Sequence, residues 1–326
     1  MTRIMAHKIC KTANPGNNSR TPPLWSALTI FLCLGLLIQF FPAFPGSRGP
    51  DSVWASSSLK LGVLAKRGHR AAHTRWSPLA EYLSSKTGQR FEIVPLNFSQ
   101  MSEYVSHGKL DLILANQMFF ILFREKYSAI PLATLVNRRA GPYTGGVIFV
   151  KNGSPIKNLR DIRGKKIAIV SFSSAGGYAI QASHLLSQGI DIREESHEIK
   201  PYKNQDHVVY AVINRMADVG FVRTDQLESM AREGKINLNQ VRVLNRQNHS
   251  NFPLLCSTDL WPAWPMASFR KIKPGLRKRI ANALISLPGD SVVSTRGKIN
   301  GFVAPGDYTP VAKALADLGL ESSVLP

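Results

Sequence analysis

The chain has 326 residues, of which 44% are hydrophobic, so it is long enough to bury the core of one large domain or two medium ones. Its formal net charge of +20 is compatible with nucleic acid, an anionic membrane surface or a small anionic ligand, while a solvated basic surface requires no partner. Only Cys256 follows residue 55, which excludes an intramolecular disulfide, a cysteine-based metal site and a c-type haem motif from the rest of the chain.

The first 55 residues have the order of regions that is typical of a secretory signal peptide. Four basic residues precede an apolar stretch at 24–44, and Val53-Trp54-Ala55 then forms a small-x-small cleavage pattern before Ser56. We therefore predict cleavage after Ala55 and export to the periplasm, where nucleic acid is not an expected partner. A retained inner-membrane anchor is the alternative, because the apolar stretch approaches the roughly 20 residues that a span needs. Cleavage would leave 36 basic and 20 acidic residues, a net charge of about +16.

Strands and helices alternate through the first part of the chain. Strands are predicted at Leu59 to Leu64, Phe91 to Leu96, Leu110 to Ala115 and Ile130 to Val136. Helices are predicted from Ser77-Pro78, with Trp76, Leu79, Ala80 and Leu83 on one face, from Ser99 to Gly108, and from Asn116-Gln117 to about Tyr127. This alternation predicts an α/β lobe with parallel strands and right-handed crossovers.

A glycine-rich break at Gly141 to Gly146 indicates a crossing into a second α/β lobe. The return crossing is predicted at Asn251 to Ser268, and helices at Lys273 to Leu287 and Thr309 to Leu318 then complete the first lobe. The predicted division is therefore residues 56–144 plus 256–326 for lobe 1 and residues 145–255 for lobe 2.

The second lobe contains a serine- and glycine-rich segment at Gly164 to Tyr178, GKKIAIVSFSSAGGY. Lys166 to Val170 is predicted as a strand and Ala175 to Leu186 as a helix. Between them, the hydroxyls of Ser173 and Ser174 and the exposed backbone near Gly176 favour an oxyanion at the helix N-terminus. An ordinary N-cap and turn explains the same residues. The segment lacks the lysine of a nucleotide P-loop and the spacing of a dinucleotide-binding fingerprint.

Two strand ends suggest a cleft between the lobes. The segments GKLDLILANQ and RMADVGFVRT each place an aspartate just inside an apolar strand that ends in polar residues, Asn116 in one and Arg223-Thr224 in the other. Ligands of open α/β sheets bind beyond the carboxyl ends of strands, so these residues are candidates for one site. An arginine can pair two oxyanion oxygens, although an exposed surface arginine is the simpler interpretation.

The order of several motifs resembles the periplasmic substrate-binding proteins of phosphate, phosphite and phosphonate ABC importers. It is still more similar to the periplasmic sensor domain of tetrathionate-sensor histidine kinases. The motifs are LGVLAKRG, GKLDLILAN, SFSSAGGY, NQDHVVYAVINRMADVGFVRTDQLE, FPLLCSTDLWPAWPMA and INGFVAPGDYTPV, and they span roughly residues 59–320. The resemblance implies a type II periplasmic-binding-protein fold, in which two α/β lobes close on a ligand without chemistry.

Two departures from the phosphonate binders favour the sensor-like branch. Where those proteins have a Ser-Thr-Ser-Gly run, this chain has Ser174, Ala175 and Gly176, so two of three ligand hydroxyls are missing. Gln117 stands where a proline is common. The resemblance implies a small oxyanion ligand, and phosphonate, phosphite, phosphate and sulfur oxyanions stay open, as do an ABC permease and a sensor kinase as the partner.

The candidate ligand-binding set is completed by residues with plausible structural roles. Tyr143, at the crossing, either donates its hydroxyl to the ligand or only packs against neighbouring residues. Gln205 and Asp206 begin a helix, where Asp206 could equally be the helix cap. Trp76 either lines the ligand site or belongs to the core. We predict a monomer with no enzymatic activity, catalytic residue, metal or cofactor. An enzyme on the same scaffold, and a membrane-anchored sensory or interaction protein with an altered or lost ligand site, are the alternatives.

Overall fold

The structure is a computed structural model that describes residues 58–65 and 68–320. The predicted signal peptide or anchor and its cleavage site lie outside these residues. Helices within the described ranges are all too short or too polar to cross a membrane.

Thirteen strands and ten α-helices make up the described chain. The strands are β1 Leu59–Leu64, β2 Phe91–Leu96, β3 Leu112–Leu114, β4 Ile130–Asn137, β5 Tyr143–Thr144, β6 Gly146–Lys151, β7 Lys166–Ile169, β8 Glu198–Pro201, β9 Val219–Arg223, β10 Val241–Val243, β11 Trp261–Pro262, β12 Pro265–Ser268 and β13 Ile299–Val303. The helices are α1 His69–Thr87, α2 Phe98–Ser106, α3 Gln117–Tyr127, α4 Ala179–Ser187, α5 Ile192–Glu195, α6 Gln205–Ile213, α7 Gln226–Arg232, α8 Pro274–Ile285, α9 Val292–Gly297 and α10 Thr309–Asp317.

The strands form two main sheets that are mixed rather than parallel. The first has the order β13-β4-β12-β3-β1-β2, and the second has the order β10-β6-β9-β7-β8. The pairs β1–β2, β1–β3, β7–β8 and β7–β9 are parallel as predicted, whereas β12, β13, β6 and β10 pair antiparallel with their neighbours. The expectation of parallel pairing in the first lobe was wrong for β4, because both of its neighbours, β12 and β13, run antiparallel to it.

The segment predicted as a return crossing contributes a central strand. β12 lies between β3 and β4, and all four of its residues are buried. Two prolines and two tryptophans at residues 261–265 obscure this strand in the sequence, although Pro265 is acceptable as its first residue. The crossings themselves are short, since β5 and β11 pair antiparallel as a separate two-stranded ribbon. The exact lobe boundaries remain a prediction.

Helices cover both faces of the first sheet. α1, α8 and α9 pack over one face on a core that includes Leu61, Val63 and Met266, and α2, α3 and α10 belong to a different cluster with Phe120 and Val311. The start of α1 differs from the prediction, because the helix begins at His69 and Pro78 lies inside it.

Candidate functional site

The serine-rich loop lies between β7 and α4 and is more tightly folded than the sequence indicates. A short 3-10 turn spans Ala175–Gly177, and α4 begins only at Ala179. The helix start predicted at Ala175 was therefore wrong by four residues. Inside the loop, the amide of Ser173 donates to Ser171 Oγ over 3.1 Å. Ser174 is 5% exposed, whereas Ser173 is half-buried.

The loop packs directly on the end of β9. A Cβ added to Gly176 would lie 2.8 Å from Arg223 Cβ, closer than side-chain carbons approach one another, so only glycine fits there without a shift. Gln181 on α4 fastens the same contact, because its Nε2 donates to Val222 O over 2.7 Å and to Gly176 O over 3.2 Å. The predicted proximity of the loop and Arg223 is thus a property of the fold.

Neighbouring polar groups orient Arg223. Its backbone amide donates to Gln205 Oε1 over 3.1 Å, Nη1 donates to Thr224 O over 2.8 Å, and Nη2 donates to Gln226 Oε1 over 3.2 Å. Gln226 in turn donates from Nε2 to Asp206 Oδ1 over 2.8 Å. This arrangement restricts the guanidinium, since a side chain with two hydrogen-bonded nitrogens loses most of its rotational freedom.

Asp206 therefore supports the site rather than capping its helix. Asn204 is the N-cap of α6, with Oδ1 accepting from the amide of His207 over 2.9 Å. The second oxygen of Asp206 accepts from Lys235 Nζ over 2.8 Å. The cap interpretation of Asp206 is wrong, because a helix uses the residue before its first turn as the N-cap and Asn204 occupies that position.

Asn116 connects the first sheet to the serine loop. It follows β3, caps α3 by accepting from the amide of Phe119 at Oδ1 over 3.0 Å, and donates from Nδ2 to Ser173 O over 3.1 Å. The side chain is 4% exposed. The carboxyl ends of β3, β7 and β9 consequently meet at one place, where Asn116 faces the loop that packs on Arg223.

The other predicted site residues have different surroundings. Thr224 is 3% exposed and its Oγ1 accepts from the amide of Gly145 over 3.3 Å. This hydrogen bond connects the end of β9 to the crossing segment. Tyr143 lies on β5 in the crossing and is 49% exposed. Trp76 is a residue of α1 that is 3% exposed in the core of the first sheet, next to α9, and the structure does not bring it to Asn116, the serine loop and Arg223.

Sequence reasoning missed three residues of this region. Gln181 and Gln226 interact with Gly176 and Arg223 as described, but glutamines within helical patterns carry no specific signal. Gln117, which is fully buried, donates from Nε2 to Pro262 O over 2.5 Å and so links the end of β3 to the returning chain. Its position where relatives carry proline was the available signal for this residue.

Cys256 is a structural thiol. It is fully buried, and its Sγ donates to Thr258 O over 3.2 Å. Burial raises the pKa of this thiol, which removes the thiolate that a nucleophile needs. Among the described residues, no group of three or more His, Cys, Asp or Glu side chains is arranged to hold a metal ion.

We expect Cys256 to resist alkylation in the folded protein. Iodoacetamide at mildly alkaline pH should modify it at least ~100-fold more slowly than in denaturing guanidinium chloride, because reaction requires a local or global opening that costs several kcal/mol. Mass spectrometry of timed samples measures both rates. Rapid modification of the folded chain would contradict the buried, inert assignment.

Comparison with known proteins adds a family and several structural relatives. The family model described as an ABC transporter, phosphonate, periplasmic substrate-binding protein matches residues 61–308. The chain is 29% identical over 241 residues to the tetrathionate sensor histidine kinase TtrS of Salmonella typhimurium. That match covers 72% of this chain and 40% of the kinase, so the chain spans less than half the length of this relative.

Solved structures of similar architecture include XAC2383 from Xanthomonas citri bound to ATP, with a TM-score of 0.69 and 20% identity. This match covers 82% of the present chain and all of that one. PhnD1 from Prochlorococcus marinus in complex with methylphosphonate has a TM-score of 0.62 and 13% identity, covering 80% of this chain and 98% of PhnD1. At these identities the likeness establishes the fold alone.

Proposed function

The chain belongs to the family of periplasmic substrate-binding proteins of phosphonate ABC transporters, and we propose that it captures a small oxyanion between its two sheets and presents it to an ABC permease or a sensor histidine kinase. The type II periplasmic-binding fold and the family resemblance are confirmed. The family binds substrates rather than converting them. The identity of the anion, the partner, the monomeric state and the processing of the N-terminus are proposals.

The meeting of Asn116, the serine loop and Arg223 carries this proposal. Asn116 comes from the first sheet, whereas Ser173 and Arg223 come from the second, and the hydrogen bond from Asn116 Nδ2 to Ser173 O joins them at 3.1 Å. An anion held by the loop and Arg223 would favour the arrangement in which the two sheets approach, since a ligand shifts an equilibrium by its differential affinity. That approach is the change that a permease or kinase can recognise.

Either partner is consistent with this arrangement. The phosphonate family model, which matches residues 61–308, supports an importer. The 29% identity to the tetrathionate sensor kinase over 241 residues supports a sensory role. An altered or lost ligand site on a membrane-anchored protein is the second candidate, favoured by Ala175 and Gly176 at positions where phosphonate binders carry hydroxyls.

A thermal-shift panel tests the proposal. Methylphosphonate, phosphite, phosphate, methanesulfonate and tetrathionate are each added at millimolar concentration, and calorimetry follows for any that stabilise the protein. A ligand at one hundred times its Kd adds about 2.7 kcal/mol to the free energy of unfolding, which should raise Tm by about 5 °C or more. Failure of every anion, with the protein folded, would reject capture and support the lost-site alternative.

The contact between the sheets yields a separate prediction. Asn116→Asp preserves the oxygen that caps α3 but removes the Nδ2 donor and places a carboxylate against Ser173 O. We expect Tm to fall, because an unpaired carboxylate is buried against a carbonyl oxygen, and the affinity for the selected anion to fall about tenfold, or about 1.4 kcal/mol. Small-angle scattering without ligand should also show a larger radius of gyration.

Asn97→Asp is the matched control for this variant. Asn97 caps α2 through the same atom, accepting from the amide of Gln100, and makes no contact with the serine loop. Its variant should bind the anion like the wild type. Equal affinity of the wild type and the Asn116 variant would show that this contact does not contribute to ligand capture.

A further inference from the structure

The two faces of the first sheet differ sharply in charge. The helices α1, α8 and α9, which pack over one face, contain seven basic residues and one acidic residue. These are Arg70, Arg75, Lys86, Arg277, Lys278, Arg279 and Arg296, with Glu81. The helices α2, α3 and α10 are balanced, with Arg124, Lys126 and Lys313 against Glu103, Glu125 and Asp317. Among these six helices, the excess of positive charge therefore lies on α1, α8 and α9, whose outer surface is here named the basic face.

Packing joins the three helices into one continuous surface. Their apolar sides enter a single core cluster with the sheet, to which α8 contributes Ile280 and Leu284. Across the helices, Tyr82 Oη donates to Ala283 O over 2.8 Å, and Arg75 Nε donates to Gly297 O over 3.0 Å. Because the apolar sides point inward, the basic side chains remain on the outside of the same layer.

Several of these charges are not neutralised within the described chain. Lys278, Arg279 and Arg296 are exposed and form no ion pair with any described acidic residue. The sequence from residue 260 to 289 contains no aspartate or glutamate. By contrast, Lys313 pairs with Asp317 at 2.7 Å on the opposite side of the sheet. The basic face therefore generates a field that is directed outward.

Large aliphatic side chains are exposed on the same helices. Ile285 at the end of α8 is 46% exposed, and Val292 at the start of α9 is 63% exposed. Exposed aliphatic side chains on basic helices suit an interface that is both negatively charged and apolar, which is the composition of an anionic lipid surface.

We propose that the basic face docks on an anionic phospholipid surface. The charges are distributed over three helices instead of converging on one pocket, which matches a planar layer of headgroups better than a single phosphate group. The interaction is independent of the cleft, so it stands whether or not an oxyanion binds there. Docking would hold the protein near the membrane that contains its partner, with the attraction acting within about one Debye length, roughly 10 Å at ordinary salt.

Vesicle sedimentation of the protein as isolated tests this proposal. Vesicles contain phosphatidylcholine alone or mixed with phosphatidylglycerol, and the test variant is Lys278→Glu, Arg279→Glu and Arg296→Glu combined. Each basic residue near an anionic surface contributes about fivefold to partitioning, so we expect the triple variant to lose at least about 100-fold. Binding of the wild type should require phosphatidylglycerol, decline with salt and resist competition by millimolar glycerol phosphate.

The matched control is Lys157→Glu, Arg160→Glu and Lys200→Glu, which changes the net charge equally at exposed positions beside the second sheet. It should retain binding within about threefold, because those residues lie outside the basic face. Equal losses of vesicle binding in both triple variants would show that the net charge of the protein accounts for binding, and would overturn the proposal. Absence of vesicle binding, with face-dependent retention on immobilised polyglutamate, would overturn it in favour of an acidic protein partner. Unchanged Tm in both variants verifies folding.

Discussion

Replacement of Arg223 by alanine should weaken binding of the selected anion by about 2 to 5 kcal/mol, because one partner of a desolvated charge pair is removed. Arg223 is half-buried, and its two terminal nitrogens are positioned by Thr224 O and Gln226 Oε1. A preoriented guanidinium loses little freedom when an anion arrives, so its charge contributes directly to affinity. Isothermal titration calorimetry of wild type and variant measures the difference.

Arg242→Ala provides a control for loss of an arginine as such. Arg242 is also half-buried in the second sheet, and it donates from Nη2 to Ser154 O and Ile156 O. The Arg242→Ala variant should bind the anion normally even if its Tm falls.

Arg223→Lys should recover only part of the affinity, since an ammonium group cannot form the paired contacts of a guanidinium. A change confined to the on-rate and its salt dependence would place Arg223 at the rim of the cleft and contradict its proposed role in holding the anion together with the serine loop.

Gly176→Ala should nearly abolish anion binding and also destabilise the protein. The new methyl group would lie 2.8 Å from Arg223 Cβ, so either the loop or the end of β9 must move. Overpacking of this kind typically costs about 1 to 3 kcal/mol of stability, and displacement of the loop separates Ser173 and Ser174 from Arg223. Valine should be worse than alanine. From the sequence pattern alone, Gly176→Val is expected to block the ligand with little loss of stability. The contact with Arg223 predicts that Tm falls as well.

Gly275→Ala separates this effect from the general consequence of replacing glycine. Gly275 lies in the first turn of α8, and a Cβ added there has no atom within 4 Å. Alanine should therefore be neutral or stabilising by about 0.4 to 1 kcal/mol, with normal anion affinity. If Gly176→Ala also binds normally, the close packing of the loop on β9 is not required for the site, and the ligand lies elsewhere.

Periodicity and glycine punctuation in the sequence determined the α/β class, the crossing near residue 143 and the serine-rich loop after β7. These features follow from local rules, because apolar spacing and backbone freedom are encoded within a few neighbouring residues. The same rules also indicated Asn116 and Arg223 as polar residues at strand ends. Their meeting could only be a hypothesis, since it depends on how two sheets are brought together.

Tertiary structure alone decided the strand order and the roles of individual polar residues. β12 becomes a central antiparallel strand although prolines and tryptophans surround it, because burial between β3 and β4 outweighs its weak local propensity. Trp76 is fixed in the core and Thr224 in the crossing by partners distant in sequence. The need for glycine at position 176 likewise arises from Arg223, 47 residues away in the chain, whose Cβ occupies the space that any side chain would fill.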